Sequence, residues 1–141
     1  MSIQMILLPL FVEVSLTLVL MVLMAVRRGA AFRSDGVRFG DIALREPNWP
    51  PSALQAAYAF NNQFELPVLF YVLTILSIIT RHADLIFVLL AWVFVVLRIL
   101  QAFVHVTSNN VRYRGMYYIA GAIVLTAMWV IFMVRILLGL G

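Results

Sequence analysis

The sequence of 141 residues contains no cysteine and no lysine. Without a thiol there is no disulfide scaffold, no thiolate zinc site, no iron–sulfur cluster and no cysteine nucleophile. Charge is also scarce. Charged residues make up 11% of the chain, against about 25% in an ordinary soluble domain. Hydrophobic residues make up 65%, and mean hydropathy is +1.05. This composition excludes a soluble globular domain, a disordered tail and a coiled coil. It leaves a small integral membrane protein.

Four hydrophobic stretches account for that composition. They run at about 3–26, 53–79, 84–106 and 115–140. Each exceeds the ~20 residues that an α-helix needs to cross a ~30 Å hydrocarbon core. Barrel strands are about 10 residues long and alternate in polarity, so these continuous runs predict an all-α, four-transmembrane-helix bundle. A single domain is expected over 1–141. The first stretch has no basic residue ahead of it and is too long for the core of a signal peptide, so it reads as a retained span.

All ten basic residues are arginine, against six acids, for a net charge of +4. In a membrane protein this excess speaks of topology rather than of nucleic acid. The long first loop, 27–51, holds Arg27, Arg28, Arg33, Arg38 and Arg45, and the third loop holds Arg112 and Arg114. The opposite side holds Arg81 and Arg135. The positive-inside rule therefore puts loops 1 and 3 in the cytoplasm and both termini on the other side.

Ionisable residues inside spans are costly and are functional candidates by default. Here they are Glu13, Glu65 and Arg98, accompanied by Asn61, Asn62, Gln63, Gln101 and His105. Asn62 and Glu65 share a helical face, which Tyr58 extends. Arg98, Gln101 and His105 follow i, i+3, i+7 spacing and form one polar stripe. Glu65 and Arg98 lie at similar depths, roughly 18 and 13 Å from the cytoplasmic face. A Glu65–Arg98 ion pair is therefore expected. Such groups either staple the bundle together or wall a polar cavity open to the cytoplasm. Pro67 should kink the second span, because it cannot donate to the carbonyl of Gln63. Two histidines cannot form a metal cluster. Tyr113, Tyr117 and Tyr118 fit either an interfacial aromatic belt or a ligand role.

The run Asn62-Gln63-Phe64-Glu65-Leu66-Pro67 resembles the helix 2 signature of the MAPEG superfamily, the membrane-associated proteins in eicosanoid and glutathione metabolism. The run from Arg98 through His105 and Asn109-Asn110 to Arg114 is similar to that family's second signature. The resemblance covers essentially the whole chain and suggests a bacterial branch. It implies a homotrimer in the inner membrane that binds glutathione, or another low-molecular-weight thiol, between subunits near the cytoplasmic face. It implies that Asn62, Glu65, Arg98, Gln101 and His105 hold the cofactor, with Arg28 and Tyr118 completing the set. Arg114 matches the arginine that activates the thiol, with Arg112 as the alternative. The implied activity is a glutathione-dependent transferase or peroxidase acting on lipophilic electrophiles. The alternative is a non-catalytic membrane binding or scaffold protein of the same fold. Tyr58 and Asn61 support it, because they stand where many members carry an arginine. A transporter is disfavoured, since the polar stripe stops at mid-membrane.

Overall fold

The computed structural model describes residues 1–44 and 47–139. Arg45, Glu46 and the last two positions of the chain lie outside the described residues. Among the described residues six helices follow in order: α1 (Ile3–Ser34), α2 (Phe39–Ile42), α3 (Pro51–Asn62), α4 (Leu66–Ile79), α5 (Leu85–Val106) and α6 (Val111–Leu137). Helices α3 and α4 together make one span, so four helical segments are long and apolar enough to cross a membrane. The all-α four-span fold follows directly from the hydrophobic pattern.

The helix ends are set by local chemistry. Asp84 caps α5 by accepting from the Phe87 N–H at 3.0 Å, and Asn110 caps α6 by accepting from Arg112 and Tyr113. Each satisfies donors that the first turn cannot pair internally. This cap starts α6 at Val111, so Arg112 and Arg114, expected in a loop, lie in its first turns. Helix α1 runs eight residues past the expected boundary at Val26, carrying Arg27, Arg28 and Arg33 with it. It stops at Ser34, and Gly36 follows with a φ of +66°, a conformation glycine adopts without strain.

The second span differs most from a regular helix. It breaks rather than kinks. Helix α3 ends at Asn62, residues 63–65 turn through i→i+3 hydrogen bonds, and α4 restarts with Pro67 in its first turn. Proline there lacks the N–H that continuing α3 would require, while its fixed φ suits a helix start.

Helix α5 is the centre of the bundle, packing on α1, α3 and most extensively on α6. Buried alanines 53, 56, 57 and 59 on α3 let α1 approach closely. One apolar cluster joins Ile6, Phe70, Leu73, Phe94, Val95 and Leu125. A smaller one, nearer the arginine-rich end, joins Leu20, Ala59 and Ala102. Arg27 closes that end by donating to the carbonyls of Ser52 at 3.1 Å and Val106 at 3.0 Å.

Candidate functional site

Between the two apolar clusters α5 turns polar, and Arg98, Gln101 and His105 are all buried on one face. The stripe read from their spacing is therefore real. Arg98 is the pivot. One guanidinium nitrogen donates to Gln101 Oε1 at 2.7 Å, and the other donates to the main-chain carbonyl of Asn62 at 3.0 Å. The α3–α4 break ends the i→i+4 ladder there, so that carbonyl accepts from the Glu65 N–H at 3.3 Å and from Arg98 together. The guanidinium also lies 5.9 Å from the Tyr118 ring centroid, within cation–π range. One side chain thus ties together α5, the break and α6.

Above Arg98 opens a cavity of about 590 Å³. Tyr58, Asn61, Asn62 and Glu65 line it from α3 and the break. Gln101 and His105 line it from α5, and Arg114, Gly115 and Tyr118 from α6. Six of the residues expected to form the site therefore share one wall: Asn62, Glu65, Gln101, His105, Arg114 and Tyr118. Two buried atoms there, Asn62 Oδ1 and His105 Nδ1, have no hydrogen-bond partner among the described residues. Buried polar atoms are normally paired, so a polar cavity with unpaired groups suits a polar ligand.

Three expectations change. Glu65 does not pair with Arg98: among the described residues the one ion pair is Arg135–Asp84, at 2.8 Å. The break turns Glu65 to the exposed cavity wall while Arg98 stays buried and bonds to neutral acceptors. Arg112 is exposed and does not line the cavity, whereas Arg114 does. Two residues along a helix differ by about 200°, so the two side chains cannot share a face. Arg114 is steadied by donating to Asn109 Oδ1 at 2.7 Å. Arg28 lines a neighbouring cavity of about 360 Å³, which shares Tyr58 and Asn61 with the first. There its guanidinium stacks 4.9 Å from the Trp49 ring. Trp49 in turn rests on Phe32, whose ring also meets Phe39.

Sequence reasoning assigned no role to Asn109, which orients Arg114. A signal was present in the Asn109-Asn110 pair ahead of a helix, where asparagine tolerates a positive φ and caps well. Asn109 has φ +51°.

No curated protein and no solved structure matches the chain. The model of the MAPEG family matches residues 6–134, which include every residue of the cavity and both apolar clusters. The chain is an integral membrane protein that belongs to the MAPEG family.

Proposed function

We propose that the protein binds glutathione, or a related low-molecular-weight thiol, in the cavity between the α3–α4 break, α5 and α6. There it transfers the thiol to a lipophilic electrophile or uses it to reduce one. The observation that carries this reading is the convergence of Arg114 with Asn62, Glu65, Gln101, His105 and Tyr118 on one cavity. Its volume lies in the roughly 300–1,000 Å³ range of small-molecule sites. The wall supplies a cation, a carboxylate and unpaired polar atoms, which suit a zwitterionic peptide.

The roles follow from charge and position. A chain without cysteine must receive its thiol from a bound molecule. A free thiol has a pKa of about 8.5 and is mostly protonated at neutral pH. Arg114 holds a fixed positive charge at the cavity wall and favours the thiolate. Glu65 accepts hydrogen bonds from an ammonium group. Asn62 Oδ1 accepts from peptide N–H groups, and His105 Nδ1 accepts from or donates to peptide groups according to its tautomer. Arg28 reaches from the adjoining cavity toward a carboxylate. The thiol supplies a soft nucleophile whose sulfur forms a bond to an electrophilic carbon as the leaving group departs. With a hydroperoxide, two thiols yield a disulfide, an alcohol and water. The electrophile reaches the site from the bilayer. A homotrimer closes the open side of the cavity with a neighbouring subunit, and the arginine-rich end faces the cytoplasm. The neutral side chains Tyr58 and Asn61 on the wall favour the second reading, a binding or scaffold protein without turnover.

The test is a glutathione titration of the purified protein in detergent, following near-ultraviolet thiolate absorbance at neutral pH. A saturable band is expected, lost in Arg114→Ala and kept in Arg112→Ala. No band at millimolar glutathione overturns glutathione as the ligand and leaves a different thiol or the second reading. A band that survives Arg114→Ala overturns the role given to Arg114.

A further inference from the structure

Glu13 stands outside the cavity and has no role in the thiol chemistry above. It lies in the membrane-spanning part of α1 and is fully buried, and neither carboxylate oxygen has a hydrogen-bond partner among the described residues. An unpaired buried carboxylate is among the most costly groups a membrane helix can carry, so its surroundings need an explanation.

The register of the bundle supplies one. Ile6, Glu13 and Leu20 are buried on one face of α1 at seven-residue intervals, each interval about 10 Å along the axis. Ile6 packs in the cluster that contains Phe94 and Val95 of α5. Leu20 packs in the cluster that contains Ala102 of α5. Glu13 is midway between its two neighbours on α1, and Arg98 is midway between those same clusters on α5. The two charges therefore occupy the same polar layer, from adjacent helices. Their unmet needs are complementary. Glu13 has two free acceptors, and Arg98 has a free donor at Nε. Arg98 is fully buried as well, and its two hydrogen bonds go to neutral oxygens. Glu65 faces the open cavity, where water screens its field, while the field of Glu13 passes through protein.

We infer that Glu13 is the buried counter-charge of Arg98 and, through it, a positioning residue for the cavity wall. Glu13 holds the guanidinium in place. The guanidinium fixes the Gln101 side chain and the Asn62 carbonyl, and both residues line the cavity. Because Glu13 carries the counter-charge, Glu65 stays free on the wall. The assignment does not rest on which molecule the cavity takes.

The test is nuclear magnetic resonance of the full chain in detergent micelles, with isotope-labelled arginine and glutamine and no ligand added. The Arg98 guanidinium signal is identified by its loss in Arg98→Lys, and the Gln101 carboxamide signal by its loss in Gln101→Asn. In Glu13→Gln, which is isosteric, both signals are expected to move. Glu13→Asp, which keeps the charge, should move them less. Glu65→Gln should shift the Arg98 signal less than Glu13→Gln does. An Arg98 signal unmoved by Glu13→Gln, or moved further by Glu65→Gln, overturns the pairing. A Gln101 signal that stays in place while Arg98 moves overturns the positioning role. Since no thiol is present, failure here is distinct from failure of the thiol reading.

Discussion

Replacing Arg98 by methionine keeps most of the side-chain volume and removes the charge. The structure gives the terms of the cost. Two hydrogen bonds from a charged donor disappear, at 2.7 and 3.0 Å, and such bonds contribute about 1.5–3 kcal/mol each. Removing a buried cation also removes its desolvation penalty, which offsets much of that loss. What is left is Glu13, fully buried, which on the inference above has lost its counter-charge. Breaking a buried pair by deleting one partner costs about 3–5 kcal/mol, and we expect a loss of that size. Combining Arg98→Met with Glu13→Gln removes both charges and should restore at least about 2 kcal/mol, because neutral replacement of a whole buried pair is often tolerated. The assay is equilibrium unfolding in mixed micelles, followed by far-ultraviolet circular dichroism. A loss below about 1 kcal/mol in the single variant, or additive losses in the double variant, would refute the reasoning.

Three further outcomes are open to the same measurements. Asp84 caps α5 and pairs with Arg135, so Asp84→Asn, which keeps a capping oxygen, should cost under about 1 kcal/mol. Asp84→Ala should cost about 1 kcal/mol more; equal losses would deny the cap. Burial pushes the Asp84 carboxyl upward, but the Phe87 N–H and the Arg135 guanidinium outweigh it and hold the group below its ordinary value. A lowered pKa stabilises the fold above the unfolded value and ceases to do so as pH falls through the folded one. Wild type and Asp84→Asn should therefore differ at neutral pH and converge below about pH 4; a gap that persists in acid contradicts the assignment. Gly121 faces Phe94, and a Cβ there would lie 3.9 Å from the ring. Gly121→Ala should accordingly fold and gain about 0.5–1 kcal/mol from helix propensity; loss of folding would show tighter α5–α6 packing than the structure has.

The sequence by itself determined the membrane setting and the four spans. Continuous apolar runs of this length have one solution in a medium without water, because every backbone group must be paired within the segment. It also determined the stripe of Arg98, Gln101 and His105, since helical spacing alone puts those residues on one face. Proline at position 67 announced a disturbance in the second span. How far the disturbance would go depended on the neighbours. A full break leaves the Asn62 carbonyl with only the turn bond from the Glu65 N–H at 3.3 Å, and Arg98 of a different helix adds a second at 3.0 Å. That contact joins residues 36 positions apart, so no local pattern could show it.

Tertiary structure decided which charge faces which. From sequence, depth alone matched Glu65 to Arg98, because depth is all that a helical rise can measure. Rotation about each helix axis and the packing of α1 against α5 are invisible to it. They send Glu65 to the open wall and bury both Glu13 and Arg98, the arrangement from which their pairing is inferred. The same holds for Arg112 and Arg114. Their spacing says that they diverge by more than half a turn, but only the seating of α6 on α5 says that Arg114 is the one turned inward. Periodicity assigns faces within a helix, whereas the bundle's packing assigns partners between helices.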